Sequence, residues 1–141
     1  MSSAEEKLRR AARWGRVGEV LSLLRDNAGL DVNLGNGDGD TALQYASYNG
    51  HAEVVKLLLS HPAINVNCQT RGGYTHFSQV CWNGKVSVIQ LLLKDPRVNV
   101  TMANNDGCTP LWWASHQGKH DVVEWPMASG RDLGDVRKTK S

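Results

Sequence analysis

The chain has 141 residues and a formal net charge of +2; 40% of its residues are hydrophobic and 21% are charged. The composition is typical of a soluble globular protein. The length suits one domain and is too short for two ordinary ones. The apolar runs are short, as in residues 57–59 and 91–93, and none approaches the roughly 20 apolar residues that a membrane-spanning helix needs. The charged N-terminus also lacks the apolar segment of a signal peptide, so we expect a cytoplasmic or nuclear protein without a membrane partner.

The sequence repeats itself at a step of 34 residues. Glycine and threonine recur in phase at three sets of positions: Gly39, Gly73 and Gly107; Thr41, Thr75 and Thr109; and Gly50, Gly84 and Gly118. A period of 20–50 residues is the sequence signature of a solenoid, a propeller or an array. We therefore expect a single domain, residues 1–141, built from units of about 1–33, 34–67, 68–101 and 102–141.

The first unit is incomplete. Its residues 11–15 (AARWG) parallel residues 46–50 (ASYNG) at a step of 35, because one extra residue precedes Asn33. We expect this unit to cap the N-terminal end of the array.

The second unit opens with the stretch NLGNGDGDTAL, residues 33–43. A phosphate-binding loop needs Lys and Ser or Thr after its last glycine, and an EF-hand loop needs oxygen ligands that end in Glu. The stretch has neither, and only Gly39 of its glycines recurs in the later units. It therefore predicts a hairpin tip in which Gly39 turns the chain.

Each unit then predicts two helices. Thr41 suits a helix N-cap, because its hydroxyl can accept a hydrogen bond from an unpaired backbone N–H, and Gly50 can take positive φ and end the first helix. The second helix carries a wide apolar stripe at Val54, Val55, Leu57, Leu58 and Leu59. Such a stripe cannot be buried within its own unit, so neighbouring units must stack.

This pattern resembles the ankyrin repeat. The resemblance is carried by residues 49–59 (NGHAEVVKLLL), 64–67 (INVN) and 106–114 (DGCTPLWWA), at a step close to the family's 33 residues. It implies an all-α solenoid of helix-turn-helix units with β-turn hairpin loops. It also implies a non-catalytic module that binds a protein partner on its concave face; the alternative is a regulatory segment of a larger enzyme or signalling protein.

Partners of this family usually meet the hairpin tips and the first helices. Carried over to this chain, the predicted protein-binding residues are Arg13, Trp14, Asp38, Asp40, Tyr48, Asn49, Arg71, Tyr74, Trp82, Asn83, Asn105, Asp106, His116 and Gln117. Trp14, Tyr48, Tyr74 and Trp82 would form an aromatic row, and aromatic residues often dominate binding energy. The alternative is that these rings pack onto neighbouring units. Trp112 and Trp113 are left out, because at least one should point into the stack.

The histidines do not form a convincing metal or catalytic site. His116 and His120 are four residues apart, a spacing that can bind zinc on one helix, but Gly118 separates them and a fourth ligand is lacking. His51, at the family's Gly-His position, is expected to hydrogen-bond within and between units. We predict no catalytic, metal or cofactor site.

The cysteines and the basic residues also give no sign of a specialised site. The odd number of cysteines, without a Cys-x-x-Cys pair, indicates reduced thiols. Basic residues gather at both ends of the chain, but the weak net charge argues against a nucleic-acid partner.

Three departures from the family pattern stand out. His76 replaces a proline, and Val80 replaces the small Ala46 or Ala114, which would loosen packing. Pro126 stands at the position of Leu58, so the last helix should kink or end near Trp125. Since no polar cap follows, the apolar C-terminal end would meet further repeats or self-associate.

Overall fold

The described part of the chain, residues 2–83 and 85–116 of a computed structural model, is entirely helical apart from its loops. It contains seven α-helices and no β-strand. The helices are α1 Ala4–Arg13, α2 Val17–Asp26, α3 Ala42–Tyr48, α4 Ala52–Leu59, α5 His76–Asn83, α6 Val86–Lys94 and α7 Pro110–His116. The predicted all-α fold is therefore confirmed. The predictions for Pro126 and for the apolar C-terminal end lie outside the described residues.

The helices pack in two rows. The first helices of successive units form one row, in which α1 packs on α3, α3 on α5 and α5 on α7. The second helices form the other row, α2 on α4 and α4 on α6. Each first helix also packs on the second helix of its own unit, from α1 with α2 to α5 with α6. This is the stacked helix-turn-helix arrangement that the repeat predicts.

The threonines begin the first helices, as predicted. Thr41 Oγ1 accepts a hydrogen bond from Gln44 N (3.3 Å), and Gln44 Oε1 accepts one from Thr41 N (2.9 Å), which forms a capping box. Thr109 Oγ1 accepts from Trp112 N (3.1 Å) in the same way. These bonds are local, so each unit starts its helix from its own sequence.

Positive φ angles lie where the repeated glycines predict them. Gly50 has φ +75° at the end of α3, and Gly39 has φ +84° in the tip before α3. A residue with a Cβ rarely adopts this conformation. Gly84 and Gly118 lie outside the described residues.

The apolar stripe of α4 packs against α3 of its own unit and against α2 and α6 of the neighbouring units. Val54, Val55 and Leu58 of α4 are fully buried, whereas Leu57 and Leu59 are partly buried. Burying one such side chain contributes roughly 1.5–3 kcal/mol. Val80 is also fully buried in α5; its effect on packing stays a prediction.

Asn33 and Asn67 join successive units through pairs of hydrogen bonds. The Asn33 side chain donates to Ala63 O (2.8 Å) and accepts from Asn65 N (2.7 Å). Asn67 makes the same two bonds one unit later, at 3.0 and 2.7 Å, to backbone groups 30 and 32 residues ahead. Each asparagine therefore connects its own unit to the next and helps to fix the distance between them.

The helices described here are short. None of them has the length and apolar character that crossing a membrane would require.

Candidate functional site

The glycine- and aspartate-rich stretch is a hairpin tip. Asn36 Oδ1 accepts hydrogen bonds from the backbone N–H groups of Asp38 (3.0 Å) and Asp40 (3.1 Å), and Asn36 O accepts from Gly39 N (2.9 Å). Asn36 Nδ2 donates to the hydroxyl of Tyr45 (2.8 Å), which ties the tip to α3. The prediction of a tip is confirmed, because these backbone donors are consumed by the turn itself.

Successive tips lie side by side. Arg71 N donates to Asp38 O (2.9 Å), and Asn105 N donates to Gly72 O (2.9 Å). The Asn105 side chain adds a bond to Arg71 O (2.8 Å). The tips and the row of first helices thus form one continuous surface, which we call the first-helix face.

The predicted binding residues fall on this face, with Gln117 outside the described part. The exposed ones are Arg13, Trp14, Asp38, Tyr48, Asn49, Arg71, Trp82, Asn105, Asp106 and His116, and the partly buried ones are Asp40, Tyr74 and Asn83. They differ in what their side chains do.

An aromatic row of Tyr48, Tyr74, Trp82 and Trp113 crosses three units on this face; it contains three of the four predicted rings, whereas Trp14 lies against Arg13. The ring centroids of Tyr48 and Trp82 are 6.4 Å apart, those of Trp82 and Trp113 are 5.7 Å apart, and Tyr74 lies 5.9 Å from Trp113. Tyr48 and Trp82 keep 36% and 42% of their surface exposed. These rings therefore pack on each other between units and still present an open side to solvent.

Trp113 is the residue that the sequence argument missed. It lies three positions before His116 on α7, and residues three apart share a helix face. The same spacing places Gln79 with Trp82 on α5 and Tyr45 with Tyr48 on α3. Applying this register to the last unit would have placed Trp113 on the first-helix face.

Two polar side chains, those of Asn83 and His51, bond across neighbouring units, whereas Asn49 bonds within its own. Asn83 Nδ2 donates to Tyr48 O (2.6 Å), one unit earlier. His51 Nε2 donates to Arg13 O (2.9 Å), which confirms the expected bond between units. Asn49 Nδ2 donates to Tyr45 O (3.0 Å) within its own helix.

Two clefts open on the face, one unit apart. The first cleft, of about 390 Å³, has Glu6, Arg9, Arg10, Arg13, Trp14, Asn36 and Tyr45 on its walls. The guanidinium carbon of Arg13 lies 5.3 Å from the centroid of the Trp14 ring, within cation–π range. Three arginines against one glutamate make this cleft basic.

The second cleft, of about 410 Å³, is acidic. Its walls carry Asp38, Asp40, Thr70, Arg71, Gly72, Tyr74, Gln79 and Trp82. Burial raises the pKa of the Asp40 carboxyl above its ordinary value; a hydrogen bond from Gln79 opposes that rise, and the nearby charge of Asp38 adds to it. The two carboxylates thus repel each other in a partly desolvated cleft.

The three cysteines are not among the residues that line the two clefts. Cys68, Cys81 and Cys108 are free thiols, and burial raises the pKa of the Cys81 thiol far above its ordinary value. Over residues 2–83 and 85–116, no group of three or more His, Cys, Asp or Glu side chains could hold a metal ion. His120 lies outside those residues.

The sequence matches a family model described as ankyrin repeats (3 copies), over residues 8–102 and 63–135. No curated protein matches the chain.

Proposed function

Because the chain belongs to the ankyrin-repeat family, whose members are generally protein–protein interaction modules, we propose that it is a non-catalytic module that binds a protein partner along the first-helix face. Stacked repeats commonly use their extended concave surface for binding. The first-helix face, with its tips and clefts, is the corresponding surface of this chain.

The observation that carries the proposal is the aromatic row of Tyr48, Tyr74, Trp82 and Trp113. Rings that touch across units are held in fixed positions, so a partner that covers them loses little of their conformational freedom. Tryptophan and tyrosine are also the residue types that most often dominate binding energy at protein interfaces. A row of open rings on a pre-formed face therefore favours recognition of another protein.

Site-directed photo-crosslinking in a lysate of the source cells tests this proposal. Tyr48 is replaced by the photoreactive residue p-benzoylphenylalanine, and a matched chain carries the same residue at Leu21. Leu21 is 47% exposed on α2, in the other row of helices. Circular dichroism checks that both chains are equally helical.

We expect a protein adduct of defined mass from position 48, weakened by Trp82→Ala, and none of that mass from position 21. Adducts that are equal at both positions, or that Trp82→Ala leaves unchanged, would overturn the proposal. So would the absence of adducts at position 48.

A further inference from the structure

The second cleft has a net negative charge that its own residues do not neutralise. Asp38 and Asp40 face one guanidinium, that of Arg71, which leaves one net negative charge. The ion pairs within 4.0 Å that the described residues form lie elsewhere, on or beside α2, on α4 and in the loop after α6. A bound cation would relieve the repulsion between the two carboxylates.

The walls of the cleft favour a cation over a neutral group. Tyr74 and Trp82 line it, and an aromatic ring attracts a cation that lies over its face. Trp82 and Tyr74 both pack against Trp113, which restricts the movement of the two rings. Arginine and lysine also carry apolar stems that can lie against such rings.

An unused acceptor lies beside the carboxylates. The Gln79 side chain donates a hydrogen bond to Asp40, while its buried Oε1 accepts none from the described residues. A buried acceptor without a donor costs about 1–3 kcal/mol. If the Gln79 amide turns toward the cleft, a guanidinium with five N–H donors or an ammonium with three could supply the missing bond.

We propose that the second cleft receives a basic side chain, arginine or lysine, from the bound protein partner. This inference rests on the proposed function, because the side chain would belong to the segment bound along the first-helix face. The basic first cleft, one unit away, disfavours the same group and is an internal control. The partner's segment would therefore place its basic residue over the second and third units.

The test uses small probes that carry only the group in question. The full chain is titrated with N-acetyl-arginine N-methylamide, with its lysine analogue, and with the citrulline analogue, in which a neutral urea replaces the guanidinium. The indole N–H signals of Trp82 and Trp14 in a nitrogen–proton NMR spectrum report on the second and first clefts. The variants are Asp38→Asn/Asp40→Asn and, as a matched control, Asp26→Asn at the end of α2.

We expect a saturable shift of the Trp82 signal with the arginine or lysine probe. The citrulline probe should bind about fivefold or more weakly, since it loses both the charge pair and the cation–π contact. The Asp38→Asn/Asp40→Asn pair should also weaken binding of the cationic probes, since it removes the charge pairs and leaves the rings in place. The Trp14 signal should shift little, and the Asp26→Asn variant should bind the probes as the wild type does. Asparagine keeps the shape of each aspartate, so the variants should fold.

Equal binding of the citrulline probe, equal binding by the paired asparagine variant, or no shift of Trp82 would overturn the inference. Crosslinking at Tyr48 separates this failure from that of the proposed function. If Tyr48 still captures a partner while the probes do not bind, only the basic-side-chain inference falls. If the probes bind and Tyr48 captures nothing, the proposed function falls, and with it the assignment of the cleft to a protein partner.

Discussion

The imidazole of His51 lies directly against Gly15. A Cβ built on Gly15 would come within 2.5 Å of His51 Nδ1, while His51 Nε2 donates to Arg13 O at 2.9 Å. Gly15 also has φ +69°. The first two units are therefore joined at a point where only glycine leaves room for the histidine.

Gly15→Ala should lower the free energy of unfolding by at least about 2 kcal/mol, because it combines a positive φ with an overpacked contact. Gly18→Ala is the matched control: Gly18 lies in α2, and nothing lies within 4 Å of its would-be Cβ. That change should stabilise the chain by up to about 1 kcal/mol, since alanine has the higher helix propensity. Urea unfolding measures both, and equal midpoints would contradict the packing account.

His76 should make stability depend on pH. Its Nε2 donates to Val66 O, and its buried Nδ1 has no partner in the described residues. Burial lowers the pKa of His76 to about 4, although the bond to Val66 and the charge of Asp95 oppose the shift. Below the unfolded value of about 6.5, the unfolded chain binds more protons than the folded chain, so stability falls as pH falls towards 4.

The expected loss from this histidine is about 3 kcal/mol between pH 6.5 and pH 4. His76→Gln keeps a neutral donor for Val66 O and does not titrate. The difference in unfolding free energy between the two chains, measured by urea at several pH values, isolates His76 from other groups. Parallel pH profiles for wild type and His76→Gln would show that burial does not hold this imidazole neutral.

Asn67→Ala should cost about 2 kcal/mol of stability, because it removes both hydrogen bonds to the next unit. Asn65→Ala removes a side-chain oxygen that accepts only a local bond, from Asn67 N (2.9 Å), so it should cost about 0.5–1 kcal/mol. Thermal or urea unfolding compares the two variants. A cost for Asn65→Ala as large as that for Asn67→Ala would argue against a special role for the bonds between units.

Trp113→Phe should be nearly neutral for stability, whereas Trp113→Ala should cost about 2–3 kcal/mol. The phenyl ring keeps contacts with Trp82 and Tyr74 and removes the buried indole N–H, which donates no hydrogen bond to the described residues. Alanine would also free Trp82, which should increase quenching of its fluorescence by acrylamide. If alanine leaves both stability and quenching unchanged, the aromatic row is not held by Trp113.

Much of the fold and part of the candidate surface could be read from the sequence. Thr41 and Gly50 were predicted correctly, because a cap and a helix-ending glycine act on backbone groups within a few residues. Trp113 was left out because the sequence did not decide whether Trp112 or Trp113 points into the stack, although the register of Tyr45 and Gln79 places Trp113 on the first-helix face. The acidic second cleft was also not predicted as a cleft, although its aspartates and rings were all chosen as candidate binding residues.

By itself the sequence determined the repeat, the helix starts, the turn glycines and the apolar stripes, because each depends on groups close together along the chain. Only the tertiary structure decided that Asp40 and Trp82 line one cleft and that Trp113 completes the row from Tyr48. Those relationships join side chains of different units. They depend on how one unit is positioned against the next. Contacts between units, such as those of His51 and Asn67, decide that position, and the repeat period alone does not.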